Sequence, residues 1–156
     1  MFRKKSMTPQ EALAKLTALC AGSEQCEYQM REKLEKWGIA PRESDDIISY
    51  LYEEKYLDEE RFAHAYARDK MRYSQWGRQK IDQHLRMLHV SAAVRREALE
   101  ALPEEEYTAM LEHVLKVKAR SLKAESEYER RGKLIRFALG RGFEMDGIME
   151  ALETLE

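Results

Sequence analysis

Between Tyr56 and Val90 the apolar positions fall into two stripes with the three-to-four spacing of amphipathic helices. Phe62, Ala65, Tyr66 and Tyr73 form the first, and Ile81, Leu85 and Leu88 the second, with Gly77 between them. The stretch YLDEERFAHAYARDKMRYSQWGRQKIDQHLRMLHV therefore predicts two helices joined by a short turn. Asp58, followed by Glu59 and Glu60, has the chemistry of an N-cap, because its carboxylate can accept from the unpaired amides of the first turn. Leu57 and Phe62 have the spacing of a hydrophobic staple, and Arg61 stands where a capping box would carry Glu or Gln.

The pattern upstream predicts three more helices. Residues 1 to 7, with Arg3, Lys4 and Lys5, are expected to be a disordered basic tail. Thr8-Pro9-Gln10-Glu11 reads as a capping box with proline at the first helical position, ahead of Ala12, Leu13, Leu16, Leu19 and Cys20, and Gly22 stops that helix. Ser23 is the expected cap of a second helix carrying Tyr28, Met30, Leu34 and Trp37 and ending at Gly38. Pro41 and Ser44 open a third, with Ile47, Ile48, Leu51 and Tyr52, which finishes near Lys55.

Downstream, Ser91 is expected to cap a helix through Val94, Ala98, Leu99 and Leu102. Pro103 and the acidic run Glu104 to Glu106 open a long one reaching about Lys123. Ser126 caps a helix containing Leu134 and Ile135, and the last helix carries Ile148, Met149, Leu152 and Leu155.

Aligning the helix ends at Gly38, His89 and Gly142 uncovers an internal repeat with spacings of 51 and 53 residues. Eight positions before each end lie Met30, Ile81 and Leu134. Four before lie Leu34, Leu85 and Ala138, and one after lie Ile39, Val90 and Phe143. Physical class is kept where identity is not. A period near 50 residues implies units that bury their faces on neighbours. The expected fold is all-α, an elongated, curved array of three tandem three-helix units over residues 8–55, 56–102 and 103–156. Strands are not expected, since four valines and six isoleucines nowhere alternate with polar residues over a strand's length.

Composition supports thin helical layers: charged residues make up 36% of the chain and the mean hydropathy is -0.69. The net charge of -2 conceals segregation. Residues 43 to 60 carry eight acidic side chains against one lysine, and residues 116 to 141 carry nine basic ones against three glutamates. The partner signal is thus local, and the near-neutral total argues against a purely electrostatic nucleic-acid binder.

Chemistry is thinly represented. Cys20 and Cys26 match no zinc, redox or disulfide spacing and read as reduced thiols of a cytoplasmic protein, with Cys20 on an apolar stripe. No apolar run is long enough to span a membrane. There is no GxSxG and no HExxH. Gly142 and Gly147 have P-loop spacing, but Ile148 and Met149 stand where Lys and Ser/Thr would be needed. The histidines His64, His84, His89 and His113 are scattered. No enzymatic activity, cofactor or metal is expected.

What remains is a set of basic side chains suited to phosphates or an acidic protein surface. In the second unit these are Arg68, Arg72, Arg78, Lys80 and Arg86, with Lys70; in the third they are Lys118, Arg120, Arg130, Arg131, Lys133, Arg136 and Arg141, with Lys116 and Lys123. Any one of them is as well explained by a solvated helix face. The aromatic residues fall mainly on apolar stripes, although Tyr73 and Trp76 flank a turn where a base could stack. Directly read, the chain is an all-helical interaction protein that binds either a protein partner or nucleic acid itself.

The segment YLDEERFA, the spaced Trp76-Gly77, KIDQHL before a turn, and KLIRFALGRGFEMDGI near the end together resemble the bacterial RecX family. The sequence departs from that pattern at His84-Leu85 and Leu88-His89, where Glu-Leu and Lys-Gly are usual. The resemblance implies a regulator of the RecA recombinase that lies in the groove of the RecA filament on single-stranded DNA and mainly inhibits ATP hydrolysis, strand exchange and coprotease activity. A monomer is expected, with single-stranded DNA contacted as part of the filament or weakly alone. The alternative is a helical repeat protein that binds nucleic acid without RecA.

Overall fold

The computed structural model describes residues 7–155, which form α1 (Pro9–Gly22), α2 (Glu27–Lys36), α3 (Pro41–Glu53), α4 (Glu59–Ser74), α5 (Arg78–Met87), α6 (Ala92–Glu100), α7 (Glu104–Ser121), α8 (Glu127–Gly140) and α9 (Met145–Leu155). Among the described residues there is no strand. Helices α1–α3, α4–α6 and α7–α9 pack as three tandem three-helix units. The accessible surface of 10525 Å² exceeds the roughly 8,200 Å² of a compact monomer of 18.4 kDa, as an elongated, curved array requires. Of the expected tail, residues 1–6 lie outside the described residues. Met7 is half-buried against the first core and donates its amide to the Trp37 carbonyl at 3.4 Å.

The repeat is visible at the three aligned helix ends. Gly38, His89 and Gly142 all adopt positive φ, at 75°, 62° and 94°. After each, the amide of Ile39, Val90 or Phe143 returns to the carbonyl of Leu34, Leu85 or Ala138 at 3.0, 3.1 and 3.1 Å. This is the Schellman closure, in which a left-handed residue lets the following amide reach back and an apolar side chain seals the turn. Ile39, Val90 and Phe143 are accordingly buried.

Most caps follow the sequence. Thr8 Oγ1 accepts from the Glu11 amide (3.2 Å), Asp58 Oδ1 from Arg61 (2.9 Å) and Ser126 Oγ from Glu129 (3.1 Å). Ser23 does not cap α2, however: it ends α1, and the extended residue before α2 is Cys26. Nor does Ser91 cap through its hydroxyl. Its amide instead donates to Glu59 Oε1 at 2.7 Å, tying α6 to the start of α4. The Leu57/Phe62 staple also fails, because the two side chains enter different cores.

Those cores divide the array unequally. Ala12, Leu16, Met30, Leu34, Ile47, Ile48 and Leu51 form one in the first unit, which Leu57 joins from the link ahead of α4. A second is continuous through the other two units, from Met71, Ile81 and Leu85 to Leu111, Leu115, Phe143 and Ile148.

The two joints between units use equivalent helix starts, since Cys26 and Gly77 precede α2 and α5. Gly77 lies against the turn that closes α8: its amide donates to the Arg141 carbonyl (2.8 Å), and that of Gln79 to Gly142 (3.0 Å). At the first joint Cys26 inserts its side chain into the second core, and Tyr28 stacks on His89 with centroids 4.3 Å apart and planes at 9°. A cleft of about 240 Å³ remains at this joint, lined in part by Leu57, Leu88 and Val90. Burial pushes the Cys26 thiol up from its ordinary pKa, so the reactive thiolate is scarce. Iodoacetamide should therefore label Cys26 in the native protein only when the first joint opens. Peptide mapping with and without urea checks this, and fast native labelling would mean that Cys26 is not seated.

Candidate functional site

The basic side chains separate into those engaged within the fold and those that face outward. Arg78, at the start of α5, is of the first kind. Its guanidinium pairs with Glu104 (2.7 Å) and Glu144 (3.3 Å), donates through Nε to the Leu99 carbonyl (3.2 Å) and lies 3.9 Å from the centroid of the Tyr107 ring. The Tyr107 hydroxyl accepts from the Arg78 amide at 2.9 Å and donates to Glu144 in a short hydrogen bond. Burial, with the Glu144 carboxylate, pushes that phenol up, so it remains a donor across the neutral range. Arg78 is thus a clamp between the second and third units.

Arg72 also bridges units, with a two-pronged contact to Glu106 at 2.6 and 3.1 Å. Arg72 holds the exposed Glu106 carboxyl below its ordinary range. Whatever this pair contributes is therefore present above the ordinary carboxylate pKa and lost as pH falls through the depressed value. Arg141 donates to the Ser74 carbonyl (3.1 Å) and covers Phe137, which Lys118 approaches at 4.8 Å. Lys80 and Lys70 lie 4.7 and 4.8 Å from the Trp76 centroid, with His84 tilted against the same ring at 4.4 Å. A base stacking on Trp76 would have to displace partners already in contact with it. Tyr73, 82% exposed, has an open face.

In the third unit, Lys133 pairs with Glu129 (3.0 Å) and donates to the Lys123 carbonyl (2.9 Å). Arg130 donates to the Ala119 carbonyl at 3.1 Å, and Arg131 lies 3.9 Å from the Met149 sulfur. Arg120 joins these two around a groove between α7, α8 and α9. Arg68, Arg86 and Arg136 are exposed and do not line that groove.

The structure therefore gathers Arg120, Arg130 and Arg131 into one place and distributes the other candidates over the joint and the outer helix faces. Sequence reasoning missed Tyr107 and Glu144, the partners that occupy Arg78, and the leucines beneath the third-unit arginines. The interleaving of Arg130 and Arg131 with Leu134 along α8 was the available signal for the latter. Among the described residues no three His, Cys, Asp or Glu side chains are placed to hold a metal ion, and no helix is long and apolar enough to cross a membrane.

Comparison with known proteins agrees with this architecture. Residues 58–99 match the family described as RecX, second three-helix domain, and residues 104–152 match RecX, third three-helix domain. Regulatory protein RecX of Pelodictyon phaeoclathratiforme is 31% identical over 127 residues, covering 81% of this chain and 78% of that protein. Its counterpart in Vibrio parahaemolyticus is 29% identical over 126 residues, covering 80% and 79%. The Oceanobacillus iheyensis relative is 25% identical over 83% of this chain, which spans only 48% of that longer protein. The crystal structure of RecX from Lactobacillus salivarius superposes with a TM-score of 0.83 at 17% identity, covering 94% of this chain and 96% of that one. With three-helix units that align in sequence and superpose in structure, the chain belongs to the RecX family of regulatory proteins.

Proposed function

We propose that this protein binds the RecA filament on single-stranded DNA as a monomer and restrains ATP hydrolysis, strand exchange and coprotease activity. Family membership supports RecA as the partner. The observation that carries the reading to particular residues is the accumulation of cations along α7 and α8 of the third unit. An elongated array with several outward-facing contacts suits a filament, because weak contacts to successive subunits act as linked binding events.

The test is RecA ATP hydrolysis on single-stranded DNA as the protein is added, with binding to the same DNA alone followed at two salt concentrations. Inhibition is expected at protein concentrations too low to coat bare DNA. Reversing Arg130, Arg131, Lys133 and Arg136 together to glutamate should weaken filament binding about tenfold or more while helicity by circular dichroism is retained. That control matters because Arg130 and Lys133 also bond backbone carbonyls. Tight, steeply salt-dependent DNA binding without inhibition would instead identify a nucleic-acid module acting without RecA.

A further inference from the structure

We infer that the groove between α7, α8 and α9 is a docking site for an acidic amphipathic helix of a protein partner. Its apolar floor is the partly exposed Leu155 above the buried Leu134 and Leu152, and its volume of about 560 Å³ falls within the range of roughly 300–1,000 Å³ typical of ligand sites. Among the described residues, Lys116, Arg120, Arg130 and Arg131 line the groove against one carboxylate, Glu127. Tyr128 stands at the edge with 91% of its surface exposed.

Each feature narrows the occupant. The cation excess selects for negative charge. The apolar surface still open there, the partly exposed Leu155 and the exposed Tyr128 ring, gains nothing from a phosphate backbone alone but suits the apolar stripe of an amphipathic segment. The walls are helices whose backbone groups are already paired internally, so an extended peptide finds no strand edge to join, whereas a helix can lay side chains at i, i+3 and i+7 into the groove. Arg130 is fixed in place by the Ala119 carbonyl at 3.1 Å, so part of the charged rim is set before binding. The inference deepens the proposed function, because it rests on the third unit's basic face being the one that meets a protein.

The test uses the full chain and a labelled synthetic helical peptide with leucines at i, i+3 and i+7 flanked by glutamates, read by fluorescence anisotropy. A counterpart with serines in place of the leucines and an oligothymidylate are the charge-only comparisons. The leucine peptide should bind at least about tenfold tighter than either, and Leu155→Ser or Arg120→Glu should each remove about tenfold of that affinity. Equal binding of the serine peptide or of oligothymidylate, or no binding of any peptide, would overturn the proposal.

RecA inhibition measured with the same two variants separates this inference from the reading beneath it. If both variants lose the peptide but inhibit RecA normally, the docking site stands and RecA is not what meets this face. If both lose inhibition while no peptide binds, the face is right and the helix-docking site is wrong. Arg120 is exposed and unpaired among the described residues, and Leu155 only borders the second core from the end of α9, so helicity by circular dichroism should be retained in both variants.

Discussion

Gly77→Ala is expected to lower the unfolding free energy by about 3 kcal/mol, the upper part of the range for forcing a methyl group into a closed contact. At φ −83° and ψ 170° alanine has no conformational objection to the site. The same replacement at an open position of this kind would stabilise by about 0.4–1 kcal/mol, because it reduces the freedom of the unfolded chain. Here the added Cβ would fall on the carbonyl carbon and oxygen of Gly142 and on the amide nitrogen of Phe143, well inside van der Waals contact. Backbone cannot rotate aside as a side chain can. Relief requires the second and third units to separate, which breaks the hydrogen bonds that the Gly77 and Gln79 amides donate to Arg141 and Gly142. Urea denaturation followed by circular dichroism decides it, since an unchanged or raised midpoint would show that the joint is looser than described.

Phe143→Ala should cost about 4 kcal/mol, near the middle of the range for truncating a buried phenylalanine. Phe143 is fully buried, and its ring lies 5.5 Å from that of Tyr107. It belongs to the core that is continuous through α4–α9, so the cavity would loosen two units at once. Against a typical total stability of about 5–15 kcal/mol, a loss of this size removes between about a quarter and most of the total and should lower the melting temperature by many degrees. Thermal unfolding by calorimetry is the check, and a loss below about 1 kcal/mol would mean that the core can collapse around the missing ring.

Much of this fold was legible in the sequence because it is written in local, repeated signals. The spacing of Met30, Ile81 and Leu134 from the three helix ends placed buried residues correctly. His89 could be aligned with Gly38 and Gly142 even though it is not glycine, and all three positions are left-handed. Ser23 misled because serine suits many loop positions besides the cap; the polar pattern does not say which residue begins the helix. The binding surface was less legible. A list of arginines does not tell Arg78, enclosed by Glu104, Glu144 and Tyr107, from Arg120, which faces water. That distinction depends on residues brought together from distant parts of the chain. The sequence places Gly77 in the turn between two helices, whereas its larger role is the absence of a side chain where two backbones meet.

The difference between the two joints fixes how the molecule carries load. At one, main chain bears directly on main chain over a shared core, so α4–α9 bends as a single stiff lever. At the other, the first unit is held by a thiol seated in its neighbour, a ring resting on a ring and the exposed Arg61–Glu24 ion pair at 2.9 Å, side-chain contacts that can tilt before they part. Tension drawn across the ends would load both joints alike, and the one held by side chains would yield further, giving the array a softer elbow near one end and a stiffer forearm beyond it.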